Sequence, residues 1–205
     1  VNKLRAICLF EADFNWWNKL IFARRMMKHA SEAGGLPAEV FARKNGHASN
    51  ASMVKTLFSD GSRILHHPAG IGEDDFGDCY DRAAHPPTSL ALQAWGMPVK
   101  AVSMMLKALQ TMQFCLRTGF GESKEFFGGT EDDPYAGLGQ GSGAAPPAFT
   151  ALATLIVNAY KRMGNGARLT SSFASRVFIL AAIMFVDDTD LLHWAESSLA
   201  TDEEL

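Results

Sequence analysis

Ten uncharged residues, VFILAAIMFV (177–186), run directly into two adjacent carboxylates, Asp187 and Asp188. A bilayer-spanning helix needs about 20 apolar residues, so this run is too short to cross a membrane. Its length and its branched and aromatic side chains predict a buried strand. Asp187 and Asp188 then turn the chain, and residues 189–194 return antiparallel. Charges beside a buried strand cost several kcal/mol unless something pairs with them. A divalent cation is one natural partner. A solvated Asp-Asp turn is the other reading of the same residues.

The remaining punctuation predicts a mixture of helices and strands without strict alternation, which is an α+β fold. A short strand is expected over residues 4–10, followed by a helix capped by Asp13 or Asn15. That helix carries Phe14, Trp17, Leu20, Ile21 and Met27 inward, with Lys19, Arg24, Arg25 and Lys28 between them. Gly34, Gly35 and Pro37 end it. A second helix starts near Ser49, carries Met53, Val54, Leu57 and Phe58, and stops at Gly61. A strand follows over 69–76. Pro86 and Pro87 open a helix that Gly96 stops, and Pro98 opens another whose Val99, Val102, Leu106 and Leu109 share a face. Residues 112–120 read as extended and 121–143 as a long loop rich in Gly and acids. Pro146 and Pro147 then start a helix through Leu152, Leu155, Ile156 and Tyr160. Lys161 and Arg162 suit its negative end, and Gly164-Asn165-Gly166 closes it.

The net charge of -3 conceals a split. Residues 1–67 hold ten Lys/Arg against five Asp/Glu, while residues 68–205 hold nine against seventeen. A basic front and an acidic back suit a chain that grips polyanions with one part and metal ions with the other, although two solvated faces would look the same. The 205 residues bury a sizeable core. Three widely spaced cysteines, Cys8, Cys79 and Cys115, have no CxxC spacing and predict reduced thiols in an intracellular protein, cytoplasmic or nuclear. The chain opens on Val1 rather than Met and shows no secretory signal, which suggests a fragment of a longer protein.

Two further segments carry chemistry. DFGDCYD (75–81) ends the strand expected over 69–76 on an acid. One carboxylate there and two in the Asp187-Asp188 hairpin could hold two magnesium ions about 3.5–4 Å apart, the arrangement that drives in-line displacement at phosphorus. GLGQGSGAAP (137–146) lies directly before a helix. Its glycines permit close backbone approach, and the helix N-terminus favours a phosphate, yet no GK[ST] follows to make a Walker loop.

The order of these three segments resembles that of reverse transcriptase domains, in particular those of non-LTR retroelements. DFGDCYD is similar to the family's motif A, GLGQGSGAAP to its motif B, usually GLPQGxxxSP, and FVDD (185–188) to its motif C, [YF]xDD. LRAICLFEADFNWWNKLIFARRM (4–26) resembles the fingers pattern. The resemblance implies a right-hand polymerase fold with a fingers-like segment (1–67) and a palm-like segment (68–205). An antiparallel sheet would be backed by helices, and no thumb falls within these residues. It implies templated addition of deoxynucleoside triphosphates to a DNA primer on an RNA template, with two Mg2+ ions that Mn2+ can replace. Asp75, Asp187 and Asp188 would be the catalytic metal ligands, joined by the Phe76 carbonyl. The Asp78 and Cys79 amides would cradle the triphosphate, and Tyr80 would exclude a 2′-hydroxyl. Gln140 and Gly141 would contact nucleotide and template, and Arg5 would reach the triphosphate.

The departures are Ala6 for Pro after Arg5, Gly139 for the motif B Pro, and Ala145 for its Ser. Motifs D and E and the thumb would follow beyond Leu205, so weak extension by residues 1–205 alone is expected. Two alternatives stay open: an RNA-dependent RNA polymerase palm, and an inactive relic that at most binds nucleic acid. The six histidines show no metal-ligand spacing. Trp16-Trp17, Met104-Met105 and Phe126-Phe127 read as packing.

Overall fold

The computed structural model describes residues 7–170 and 176–195. In chain order the helices are α1 (Ala12–Asn18), which continues through a π-helical stretch (Lys19–Met26) into α2 (Met27–Glu32), α3 (Ala48–Leu65), α4 (His85–Ala94), α5 (Val99–Thr111) and α6 (Ala145–Arg162). The strands are β1 (Ala69–Asp75), β2 (Gln113–Thr118), β3 (Gly121–Gly128), β4 (Ala167–Thr170), β5 (Val177–Leu180), β6 (Ala182–Phe185) and β7 (Asp188–Trp194). The fold is therefore α+β, and all its strand pairs are antiparallel. Two compact units form, each from two stretches of chain. One runs up to Leu36 and from Asp78 to Leu152, and the other from Pro37 to Gly77 and from Ala153 onward.

In the second unit β7 lies between β1 and β6. The expected return of the chain after Asp187-Asp188 is thus present, and its outer neighbour is the strand that ends on Asp75. Residues 183 and 192 point to the face covered by α3, where Ala51, Phe58, Ile183, Leu192 and Trp194 form a core. Phe58 stacks on Trp194 at 5.5 Å. The Tyr160 hydroxyl of α6 donates to the Leu192 carbonyl at 3.4 Å. Lys161 reaches past its helix end to the buried Glu39 carboxylate at 2.6 Å, so it is more than a charge at a helix terminus.

The apolar run is not one buried strand. It breaks at Ala181 into β5, which pairs with β4, and β6, which joins β7. β6 is buried at Ala182, Ile183 and Met184, whereas Val177, Phe178 and Ile179 of β5 are about half exposed. A uniformly apolar sequence carries no mark of where a strand leaves one partner for another. Nor does Gly61 end α3. The helix runs on to Leu65 and closes on His66 in the left-handed conformation, φ 54°. Gly61 faces the Trp194 indole, and a Cβ there would stand 3.3 Å from the ring, so a side chain would crowd the core. Met53 and Leu57 of α3 are exposed.

In the first unit, α1 begins after Glu11 with no side-chain cap, so neither Asp13 nor Asn15 caps it. Asn15 instead donates to the Gly141 carbonyl and accepts from the Gly143 amide. The fully buried residues along this helix are Asn18, Phe22, Met26 and Ala30. They recur every fourth residue because i→i+5 bonding widens the turn beyond 3.6 residues, which rotates Leu20, Ile21 and Met27 to the margin. Residues 7–10 of the expected first strand form no ladder, since one bond joins the Cys8 amide to the Gln140 carbonyl. Residues 4–6 lie outside the described residues. The loop expected over 121–143 begins instead as β3, paired to β2 through Phe114↔Phe127 and Cys115↔Phe126. Phe126 and Phe127 are exposed rather than packed. α4 and α5 start at their prolines as expected, with Val102, Met105, Leu106 and Leu109 buried, whereas Val99 and Met104 face solvent.

Candidate active site

The register of the three-stranded sheet brings the acidic strand end and the Asp187-Asp188 turn together. Asp75 lies directly opposite Asp188, and Asp188 lies opposite Phe185, so Val186 and Asp187 form a two-residue turn. The Phe76 amide donates to the Asp187 carbonyl at 3.3 Å, extending the join beyond the ladder. Residues that face one another across antiparallel strands share a face, and like charges so placed repel by up to about 1 kcal/mol. Val186 holds φ 61°. A β-branched residue is a genuine outlier there, with strain of about 1–3 kcal/mol, and such strain collects where a turn has a task. Among the described residues, Asp75, Asp187 and Asp188 make no ion pair. No group of three or more His, Cys, Asp or Glu side chains there is close enough to hold a metal ion by itself.

One rung further into the sheet, Glu73 faces Asp190. Here a cation is present. Lys55 of α3 bonds the Glu73 carboxylate and both oxygens of Asp190, at 3.2 and 3.3 Å. Its hydrogen bond to Glu73 raises the Lys55 pKa above the usual lysine value despite partial burial, and the same bond lowers that of Glu73. Lys55 was legible in principle. It interrupts the inward stripe of Ala51 and Phe58, and an ammonium on a core-facing stripe needs carboxylates.

The other expected nucleotide-binding residues lie in the first unit. Asp78, Cys79 and Tyr80 form a turn in which the Asp81 and Arg82 amides bond the Asp78 carbonyl, and Asp78 has φ 55°. Cys79 is buried, and the Tyr80 ring meets Phe149 edge-on at 6.0 Å. The Leu138 amide donates to the Tyr80 carbonyl at 2.6 Å, which fixes the glycine loop to this turn. The loop is closely packed. A Cβ on Gly137 would stand 2.6 Å from the Asp81 carbonyl carbon, and one on Gly139 would stand 2.7 Å from the Phe10 ring. Through their carbonyls, Gln140 and Gly141 hold Cys8 and Asn15. Arg5 lies outside the described residues.

His85 was not singled out by any motif, yet it secures the same loop. Its Nε2 lies 2.6 Å from the Gly137 carbonyl and its Nδ1 3.0 Å from Gln110 Nε2. A carbonyl only accepts, so the Nε2–H donates to Gly137, and Nδ1 faces the Gln110 amide. Nearby, the Tyr135 hydroxyl donates to Asp81 at 3.2 Å. Burial, then the Asp81 charge, raises the pKa of Tyr135 well above the ordinary phenol value, and the same two causes raise that of the Cys8 thiol.

No protein-family model and no curated protein sequence matches the chain. Solved structures do. Telomerase from Candida tropicalis, in complex with the TWJ fragment of telomeric RNA, aligns with a TM-score of 0.57 and 11% identity over 94% of this chain and 31% of that one. Apo telomerase from Candida tropicalis, truncated from its C-terminal domain, gives 0.55 and 10% over 93% and 36%. Telomerase from Candida albicans, with the same type of RNA fragment, gives 0.56 and 10% over 91% and 31%. No helix among the described residues is long and apolar enough to cross a membrane. Over nearly its whole length the chain has the fold of about one third of these telomerase chains.

Proposed function

We propose that the chain is the fingers and palm part of an RNA-directed DNA polymerase. It would add deoxynucleoside triphosphates to a DNA primer on an RNA template. The observation that carries this reading is the pairing of Asp75 with Asp188 across a sheet whose next turn holds Asp187 on a strained Val186. A polymerase needs hard oxygen donors at one point, held by rigid strands and left uncompensated by protein cations. Asp75 and Asp188 are exposed, Asp187 is half-buried, and none of the three is ion-paired among the described residues, so their oxygens would be accessible to a hard cation such as magnesium. Asp75, Asp187, Asp188 and the Phe76 carbonyl would hold the ions. Among the described residues no three of these acids are gathered closely enough to bind an ion alone, so substrate phosphates would have to supply the remaining ligands. Two Mg2+ ions, or Mn2+ in their place, would activate the primer 3′-hydroxyl and stabilise the leaving pyrophosphate oxygen.

The remaining roles follow the chain. The amides of Asp78 and Cys79 would hold the triphosphate, and Tyr80 would exclude a 2′-hydroxyl. Gln140 and Gly141 would line the path of nucleotide and template, and Arg5 would add a guanidinium fork. The basic stretch 1–67 would act as fingers on the template, and 68–205 as palm. The test is primer extension on an RNA template by the longest natural chain that contains these residues, beside its Asp187→Asn and Tyr80→Ala variants. Extension abolished by Asp187→Asn, with ribonucleotide incorporation raised by Tyr80→Ala, supports the reading. Ribonucleotide preference in the unaltered chain would indicate an RNA polymerase. Extension that survives Asp187→Asn, or none at all, would refute the assignment.

A further inference from the structure

We propose that the outward ridge of the first helix, from α1 through the π-helical stretch into α2, binds a single strand of nucleic acid. Arg24, Arg25 and Lys28 would hold its phosphates, and Trp16 would stack on one of its bases. From Phe14 to Ser31 the helix carries Lys19, Arg24, Arg25 and Lys28 and no acid, in a chain whose net charge is -3. Trp16, expected to pack, is instead 65% exposed. Its neighbour Trp17 is the one that packs, edge-on to Phe22 at 5.8 Å. Arg24 and Arg25 are exposed and make no ion pair among the described residues. Lys28 meets Glu32 at 3.7 Å, with both side chains well exposed. An exposed pair of this kind contributes little and yields readily to a phosphate.

The backbone puts these groups in line. Asn18, Phe22, Met26 and Ala30 form the buried stripe. Trp16, Leu20, Arg24 and Lys28 alternate with them on the opposite ridge, with Arg25 beside it. In an ideal α-helix a step of four residues overshoots a turn by about 40°, so the ridge would swing by about 120° from Trp16 to Lys28. The π-helical stretch Lys19–Met26 has wider turns and removes much of that swing. Such stretches are rare and gather at functional sites. Arg24 and Lys28 stand about 6 Å apart along the axis. Alternate phosphates of a stacked strand are about 7 Å apart, so the two cations match them. Cations alone would suit any polyanion. Trp16 on the same line decides for an unpaired strand, whose bases offer their faces for stacking. The glycine loop is held by Asn15 and Asn18, through Gly141, Ser142 and Gly143. Neither lies on the ridge, so this surface is separate from the nucleotide-binding residues proposed above and goes beyond that reading.

Titration of the chain with a labelled oligouridylate in EDTA, read by fluorescence anisotropy, tests this without metal or turnover. Three cations on phosphates predict that log K falls with log salt at a slope of about -2. Arg24→Gln with Arg25→Gln should flatten the slope to about -0.7, and Arg24→Lys with Arg25→Lys should keep it near -2. Trp16→Leu should weaken binding at least about fivefold at an unchanged slope, because it removes the stack and no charge. The same variant should remove most of the quenching of tryptophan fluorescence by the strand. Circular dichroism checks the fold of each protein. An unchanged slope in the glutamine pair overturns the proposal, and so does unchanged affinity in Trp16→Leu. Tighter binding of an RNA duplex than of the strand would make the ridge a duplex surface, and displacement of the strand by polyaspartate at equal charge would make it a surface for acidic proteins. Either result overturns the proposal, as does no binding at low salt.

Discussion

Gly137 and Gly164 have nearly the same backbone conformation, φ 91° and 87°, and very different surroundings. A Cβ on Gly164 would meet nothing within 4 Å, whereas one on Gly137 would stand 2.6 and 2.7 Å from the Asp81 carbonyl carbon and Cα. The left-handed backbone costs an alanine about 1 kcal/mol at either position. At Gly164 that is the whole effect, which for a chain of this size lowers Tm by about 2–4 °C. At Gly137 the Asp81 backbone must also move, and two bonds depend on it staying. They are Leu138 to the Tyr80 carbonyl at 2.6 Å and His85 to the Gly137 carbonyl at 2.6 Å. Each is worth about 1 kcal/mol, so Gly137→Ala should cost about 3 kcal/mol and lower Tm by about 6–12 °C. Thermal melts of the two alanine variants beside the parent decide the matter. Equal shifts would mean that the glycine loop is not seated on the Asp81 turn.

Lys161→Met strands the Glu39 carboxylate, which is 3% exposed, and should cost about 3 kcal/mol in urea unfolding. Adding Glu39→Gln should recover most of that, and no recovery would mean that the loss came from packing. Tyr135 keeps its proton in the folded chain above the pH at which an unfolded tyrosine, with a pKa of 10.0, gives it up. Stability is therefore full below about pH 10 and falls as pH rises beyond it, and Tyr135→Phe should make that alkaline fall shallower. An unchanged slope would remove Tyr135 as its source. Val186→Gly trades strain at φ 61° for chain entropy and should leave Tm unchanged or raise it by about 2 °C. A fall beyond about 4 °C would show that the packing of Val186 outweighs its strain.

What was legible in the sequence was set locally. Pro86, Pro98 and Pro147 mark helix starts, Gly34 and Gly96 mark stops, and the Asp187-Asp188 pair marks the hairpin, although the turn itself is Val186-Asp187 and Asp188 already opens β7. The convergence of Asp75 on Asp188 was not local, and it became readable only through the order of the three motifs. The misses have a common cause. The break at Ala181 leaves an apolar residue on either side, so nothing in the pattern signals a change of partner. β3 is an exposed strand that begins and ends on glycine, and exposure removes the alternation that would identify it. The π-helical stretch shifts the inward face by a residue per turn, which a 3.6-residue period cannot follow. His85 and Lys55 act across 52 and 18 residues of chain, and only their three-dimensional neighbours give them a role.

The most direct test of the metal-dependent polymerase account is anomalous scattering from crystals of the protein with Mn2+, a template-primer and a non-hydrolysable deoxynucleoside triphosphate. The account predicts manganese peaks beside the Asp75–Asp188 pair, within about 2.5 Å of oxygens of Asp75 and of the Asp187-Asp188 turn, absent from Asp188→Asn crystals. Manganese bound at Glu73 and Asp190 instead, or nucleotide bound with no manganese at Asp75, would contradict it.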